Sequence, residues 1–328
     1  MRLVPHTDAV PRSAVIVNPV KVADLDLLRR TIEEGLASAG WPAPAWLQTT
    51  PEDAGRGQAT KAIEDGAELV FVCGGDGTVM ACVTALAGTE VALAVLPAGT
   101  GNLLAVNLGL AGDAATGVQV ALDGGRRRID VGVVEDRCFA VMAGMGFDAQ
   151  MLEGTSDVAK KRIGWLAYVG GAVKHLRGGP MRVTIRLDRG EVLRRRPRTV
   201  IVGNVGRLQG GVRLLNAAEP DDGKLDVAIL SPRTLAHWVA LGWAVLRRKE
   251  RVPLMETYTA ARIEIHSAKP QPRQLDGDLI EPGRRMSISV RHRALLLCVP
   301  QPEGDPDLAY DAAAVAERAA GVRDDGSG

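Results

Sequence analysis

Three glycines fall within four residues at Gly74, Gly75 and Gly77, around the acid Asp76 and ahead of Thr78. Glycine has no Cβ to hold a bulky anion away from the backbone, so such a run can cradle a phosphate on its N–H groups. Asp76 is the only negative charge nearby; it would repel a bare phosphate and suits one that carries magnesium. Ahead of the loop, Leu69 to Cys73 is an apolar run of strand length. Behind it, Val79 to Leu86 reads as a helix whose positive dipole end points to the same place. A tight strand-to-helix turn in any α/β domain gives the same pattern, and the loop alone leaves both readings open.

A second loop shifts the balance. Pro97-Ala98-Gly99-Thr100-Gly101-Asn102 follows the apolar strand Val91 to Leu96 and again opens a helical stretch. Ligands of open parallel sheets bind at the carboxyl ends of the strands, so two adjacent anion-cradling loops imply a nucleotide crevice.

The elements that must hold these loops alternate. Ala14 to Val17 is a first strand ending in Asn18-Pro19. Asp24 caps a helix through Ala39, with Leu25, Leu28, Ile32 and Leu36 at the helical period. A strand from Trp46 to Thr49 leads to Thr50, a polar Gly-rich run and a helix from Gln58 to Glu64. Strand and helix alternate to Leu122, the signature of a parallel sheet covered by helices. From Ile129 the pattern changes to short runs of period-2 alternation with hairpin-like breaks, among them Ala261 to Ile265, Met286 to Val290 and Leu295 to Val299 as separate strands, which implies an all-β second domain, a β-sandwich. Helices over Val158 to Leu176 and Leu235 to Arg248 interrupt it. The expected division is an α/β nucleotide-binding domain over 1–125, a β-sandwich substrate domain over 126–302 and a C-terminal tail over 303–328.

The two loops together resemble the catalytic family of diacylglycerol kinases and sphingosine kinases, in particular its bacterial soluble lipid kinases. NAD kinases share Gly-Gly-Asp-Gly-Thr and phosphofructokinases carry a close relative of it, so the rest of the chain must discriminate. Gly144-Met145-Gly146-Phe147-Asp148-Ala149 resembles the family's Gly-x-Gly-Phe-Asp-Ala element. Pro220-Asp221-Asp222-Gly223-Lys224-Leu225-Asp226-Val227 resembles its Asp-Gly-x-Leu-Asp-Val segment, and Gln274-Leu275-Asp276-Gly277-Asp278 its Asp-Gly-Glu, with Asp278 in place of glutamate. The likeness runs from Ala14 to Pro300, and neither of the other two families has this train of motifs.

The resemblance implies an α/β domain of the NAD kinase and phosphofructokinase kind with a C-terminal β-sandwich, and an ATP- and Mg²⁺-dependent phosphotransfer to a lipid hydroxyl. Diacylglycerol is the first acceptor to consider. A sphingoid or other lipid is an alternative, and a non-catalytic nucleotide or lipid sensor is an alternative of another class. The implied nucleotide contacts are Asn18, Pro19, Thr50, Gly74, Gly75, Asp76, Gly77, Thr78, Gly99, Thr100, Gly101, Asn102 and Asp278. Asp276 is the implied base, with Asp76 in the magnesium network or as the base instead. The implied structural magnesium takes the Asp222 carboxylate and the Glu219 and Lys224 carbonyls; a solvated Asp-Gly turn reads equally well. Three departures stand out. Val20-Lys21-Val22 replaces a Ser-Gly loop after Asn18-Pro19, and Lys21 is either an electrostatic substitute or a solvated side chain. Met80 and Ala81 stand where an Asn-Glu pair is common, and Leu103 where an Asp is common. Lineage variation and loss of activity both account for them.

Composition bounds the rest. Hydrophobic residues at 46% and charged residues at 24% describe a globular protein with real cores, and a formal net charge of +1 supplies no global field for nucleic acid. Cys73, Cys82, Cys138 and Cys298 are scattered without metal-ligand spacing, as expected of buried free thiols in a reducing cytoplasm. No apolar run reaches the ~18 residues of a membrane-spanning helix and no signal-peptide core opens the chain, so the expectation is a cytoplasmic protein that touches the membrane transiently to reach its lipid. The apolar run from Leu235 to Leu246 with Arg247, Arg248 and Lys249 reads as an interfacial helix or as a packed one. Arg194-Arg195-Arg196 with Arg198, and Lys160-Lys161-Arg162, are further candidate contacts to anionic headgroups, or solvated faces. A homodimer is left open.

Overall fold

The computed structural model describes residues 12–97, 104–105, 113–123, 125–146, 179–205, 219–234, 236–237, 240–241, 243 and 252–300. The chain forms two compact units, Met1–Arg127 with Leu296–Gly328, and Arg128–Leu295.

The first unit is a parallel sheet with helices. Its strands are β1 (Ser13–Val17), β2 (Ala45–Gln48), β3 (Leu69–Gly74) and β4 (Ala92–Pro97). The end of a long strand, β14 (Asp278–Val299), pairs parallel with β4 through Leu296 and Leu297. The order is β2-β1-β3-β4-β14, parallel throughout. Every residue of β1 and β3 is buried, as a strand covered on both faces requires, and this is why each reads as a continuous apolar run. The helices are α1 (Leu25–Ser38), α2 (Arg56–Glu64), α3 (Asp76–Leu86) and α4 (Ala114–Asp123). Asp24 caps α1 by accepting the Leu27 N–H at 2.8 Å, and Leu28, Ile32 and Leu36 are its buried stripe.

The second unit is sandwich-like, and its strands between Met142 and Leu275 pair antiparallel within it. One run of strands is β12 (Met255–Ala260), β11 (Leu225–Leu230), β10 (Thr199–Gly203), β7 (Met142–Met145) and β13 (Arg262–Leu275). The other is β14, β13, β8 (Val183–Leu187) and β9 (Glu191–Arg195). β5 (Gly125–Val134) and β6 (Arg137–Phe139) pair with each other, and β5 also pairs with β14. The strand β13 serves both runs: Ile263 to Ser267 pair with β8 and Arg273 to Leu275 with β7, and register shifts lie between. Strands that change sheets through bulges make the corners of sandwiches. Val183, Ile185 and Leu193 of one run and Val200, Val227 and Ile229 of the other share a single apolar core.

Three boundaries differ from the sequence reading. The helix expected from Val79 begins at Asp76, so Asp76, Gly77 and Thr78 form its first turn. The runs read as separate strands at Ala261 to Ile265, Met286 to Val290 and Leu295 to Val299 belong to two long strands, β13 and β14. The last of these, expected in the sandwich, contributes Leu296 and Leu297 to the parallel sheet. The helix expected over 158–176 lies outside the described residues, as do most of the one expected over 235–248 and the expected tail. All four cysteines are free and buried, as expected.

Phe139 is wholly buried in the sandwich core. Its replacement by Ala should destabilise the protein by about 3–5 kcal/mol, whereas Val192→Ala on an exposed position should stay within about 0.5 kcal/mol; urea unfolding of both variants checks this.

Candidate active site

In the parallel sheet, Val17 of β1 pairs with Gln48 on one side and Cys73 on the other, and Gly74 pairs with Pro97. The carboxyl ends of the four strands therefore share one edge: Asn18 after β1, Thr49 and Thr50 after β2, Gly74 at the end of β3 and Pro97 at the end of β4. Strand order reverses between β1 and β3, because the chain leaves β1 toward β2 and returns on the opposite side at β3. Such a switch point opens a crevice where ligands of parallel sheets bind.

Asn18 ties this edge together. Its N–H donates to the Cys73 carbonyl at 2.8 Å, and its Nδ2 donates to Thr78 Oγ1 at 3.4 Å. Its Oδ1 accepts the Val20 N–H at 3.1 Å, closing a turn that leaves Pro19, Val20 and Lys21 exposed. Gly74 and Gly75 have different reasons to be glycine. A Cβ on Gly74 would meet the buried Thr78 side chain at 2.7 Å, so Gly74 is required for packing. A Cβ on Gly75 would meet nothing within 4 Å. Gly75 is the extended N-cap of α3 and, having no side chain, gives the helix no side-chain cap, so the positive dipole end of α3 lies at this strand end with Asp76 in the first turn. That arrangement can receive a phosphate. The Thr50 hydroxyl accepts the Asp53 N–H at 3.1 Å, and Asp53 in turn accepts the Gly55 and Gly57 N–H groups at the start of α2. Thr50 thus stands at the shared edge as part of a helix-entry turn. Gly99, Thr100, Gly101, Asn102 and Leu103 lie outside the described residues.

The remaining expected site residues belong to the second unit. Asp276 and Gly277 join β13 to β14 as a two-residue hairpin between Leu275 and Asp278, with φ of +47° and +96°. Left-handed φ at both positions is the turn that Asp-Gly favours. The Asp276 carboxylate is buried and accepts three backbone N–H groups, Ala140 at 2.8 Å, Val141 at 3.0 Å and Met142 at 2.6 Å. A carboxylate has about four lone-pair sites, so three of them are given to the backbone. Asp278, two residues on, is exposed, and partial desolvation pushes its carboxyl up against the opposing pull of Arg137.

Glu219, Asp222 and Lys224 lie in the turn before β11. Asp222 accepts the Lys224 N–H at 2.8 Å, and Gly223 adopts φ +78°. Asp226 is pushed up to about 6, first by burial and then by the negative charges of Asp222 and Glu219. Oxygen donors in a locally negative turn fit a hard cation such as Mg²⁺. Among the described residues no three His, Cys, Asp or Glu side chains are arranged to hold a metal ion, so a cation here would rely on main-chain carbonyls and water.

Sequence reasoning missed Asp130. This residue of β5 is completely buried; it accepts the Gly223 N–H at 2.6 Å and the Arg293 N–H at 2.5 Å and lies 2.9 Å from His292 Nδ1. Burial pushes its carboxyl up, and those contacts oppose the shift. Asn204 donates to the Asp130 and Ala140 carbonyls at 2.7 and 3.0 Å. The available signal was an acid between Ile129 and Val131 in an apolar alternating strand.

Comparison with known proteins agrees with this architecture. Residues 12–134 match the diacylglycerol kinase catalytic domain, and residues 141–298 match the YegS C-terminal NAD kinase beta sandwich-like domain. A protein of Chromohalobacter salexigens named "Probable lipid kinase YegS-like" is 32% identical over 77% of this chain and 82% of its own length. The chain belongs to the diacylglycerol kinase-like lipid kinase family. Members are phosphotransferases with an alcohol group as acceptor, and the family pairs an α/β domain with a β-sandwich-like one. In fold, a crystal structure of a diacylglycerol kinase from Bacillus anthracis superposes with a TM-score of 0.68 at 24% identity, covering 90% of this chain and 97% of that one. An NAD kinase from Archaeoglobus fulgidus in complex with ATP superposes with a TM-score of 0.50 at 14% identity, over 88% of this chain and 93% of that one.

Two outcomes test the local readings. Gly74→Ala should cost about 1–3 kcal/mol through overpacking against Thr78, while Gly75→Ala should melt like the wild type and lose ATP affinity; melting curves and ATP titration separate the two. The raised carboxyl of Asp226 keeps its proton longer in the folded chain than in the unfolded one, so its contribution to stability is full below 3.8 and falls as pH rises toward about 6. Asp226→Asn should therefore melt higher than wild type at pH 7 and show a flatter pH dependence of melting between those values.

Proposed function

We propose that this lipid kinase-like protein uses ATP and Mg²⁺ to phosphorylate a lipid hydroxyl, with diacylglycerol as the first-choice acceptor and phosphatidate as product. The observation that carries the reading is the open space at Gly75, at the switch point of the sheet and at the start of α3, in a member of the lipid kinase family. The ATP phosphates would lie on the Gly74–Gly75 backbone, with Asn18 and Thr78 beside them.

Phosphoryl transfer asks for an in-line hydroxyl, positioning and charge neutralisation. The lipid hydroxyl oxygen bonds to the γ-phosphorus, the bond to the β–γ bridging oxygen breaks, and the hydroxyl proton passes to a carboxylate. Asp276 is assigned that proton. Magnesium, when bound, neutralises phosphate charge; Asp76 would hold it there, and Glu219, Asp222 and Lys224 would hold a structural ion. Asp278 would complete the nucleotide side. Met80 and Ala81, both partly exposed on α3, give this helix no polar side chain where the family commonly has two, and this supports a second reading as a nucleotide-binding sensor without turnover.

Incubation with labelled ATP, Mg²⁺ and a panel of diacylglycerol, sphingoid bases and other lipids tests the assignment. Phosphatidate formation supports it, a labelled sphingoid changes the acceptor, and ATP binding without any labelled lipid favours the sensor. In the same assay Asp276→Asn should lose turnover by about 10² to 10⁴ with ATP affinity unchanged, and Asp76→Asn should lose Mg-ATP binding. The amide would also face three N–H donors with a donor of its own, so Asp276→Asn should melt lower and must be assayed below that transition. Wild-type turnover in Asp276→Asn would move the base to Asp76.

A further inference from the structure

The outer face of the sandwich carries a cavity that neither the nucleotide edge nor the turn before β11 accounts for. It has a volume of about 550 Å³, and Arg182, Thr184, Arg194, Arg196, His266 and Ser267 line it. Thr184 of β8 pairs with Arg194 of β9 and with His266 of β13, so these three stand in one row across three strands. Arg182 and Arg196 lie two positions from Thr184 and Arg194 in sequence, hence on the same face. All are exposed except Ser267, whose buried hydroxyl has no hydrogen-bond partner.

Charge balance distinguishes this face from an ordinary solvated one. Nearby cations are matched: Arg186 lies 3.8 Å from Glu264, and Arg195 lies 2.9 Å from Glu256 with a further bond to the Tyr258 hydroxyl. Arg182, Arg194 and Arg196 have no ion pair or side-chain hydrogen bond among the described residues. Like charges on neighbouring strands destabilise a sheet, and an anion between them relieves the repulsion. Strands ~4.8 Å apart with same-face residues ~7 Å apart spread the three guanidinium groups over the footprint of a phosphate-bearing headgroup or two. Guanidinium binds phosphate bidentately, and all three arginines are exposed at the cavity.

We propose that this face docks the protein on an acidic phospholipid surface, with Arg182, Arg194 and Arg196 on headgroup phosphates. No helix among the described residues is long and apolar enough to cross a membrane, so a peripheral contact of this kind would bring the chain to a bilayer. Docking is independent of turnover and stands or falls separately from the kinase reading.

Flotation of the full chain with phosphatidylcholine vesicles, with and without phosphatidylglycerol, and without ATP, tests it. The wild type should bind the acidic vesicles, less so as salt rises. At roughly 1 kcal/mol per arginine, R182Q/R194Q/R196Q should weaken that binding on the order of a hundredfold. Thr184→Glu, which places an acid in the middle of the row, should weaken it too, and Arg186→Gln, whose charge is already matched, should not. Equal acidic-vesicle binding by wild type and the triple variant overturns the proposal, as does equal wild-type binding to neutral vesicles. Saturation by inorganic phosphate without any preference for acidic vesicles would make it a free-phosphate site and overturn the lipid assignment. Binding to RNA oligonucleotides in place of acidic vesicles would do the same.

Discussion

A carboxylate that water barely reaches holds the sandwich unit in register. Asp276 is 5% exposed, and the three N–H groups of Ala140, Val141 and Met142 end on it while its own N–H goes to the Met142 carbonyl. Without that acceptor, three backbone donors would be left inside the unit, each costing about 1–3 kcal/mol. From there the polar contacts continue through Asn204, which holds the Ala140 and Asp130 carbonyls, to Asp130, which holds Gly223 and Arg293. The hairpin bearing Asp276 and the turn bearing Asp222 are thus joined by one chain of hydrogen bonds. A disturbance at either end reaches the other through these shared hydrogen bonds.

The parallel unit achieves its arrangement with fewer polar parts. Its central strands β1 and β3 are buried on both faces, so their ends are fixed by the sheet, and Asn18 then needs only one carbonyl and one hydroxyl to join β1, β3 and α3. The two adjacent glycines divide the labour: Gly74 lets Thr78 approach the strand end, and Gly75 keeps the helix entrance clear. Rigid packing beneath preorganised backbone donors is what positioning a phosphate requires.

Much of this was legible in the sequence where local signals and tertiary packing agree. The runs Leu69 to Cys73 and Val91 to Leu96 appear as strands, Asp24 caps the helix it was expected to cap, and the change of period near Ile129 marks the change of architecture. The start of α3 was read three residues late because glycine was taken as loop, although the first helical turn tolerates it. The long strands β13 and β14 were read in pieces because Pro270, Pro272 and Pro282 look like breaks. In the structure, Pro270 and Pro272 sit beside register shifts, where a missing N–H costs little, and Arg273 spans the irregular region by donating to the Glu281 and Arg285 carbonyls. Asp130 was missed because its partners at Gly223, His292 and Arg293 are far away in sequence and near only in the fold.

The tail of β14 imposes an order on how the chain comes into being. The open side of β4 acquires Leu296 and Leu297 only after the whole of the second unit has been made. At ~5–20 residues per second, the ribosome takes roughly 10 to 40 s to travel from Pro97 to Leu296. For that interval the nascent parallel sheet presents an unpaired edge beside Ala92 and Leu93, available to any other extended segment. A release of the chain before Leu296 would leave the nucleotide-binding unit with a lasting adhesive margin. Its solubility in the cell therefore depends on the completion of a strand that begins in the other unit.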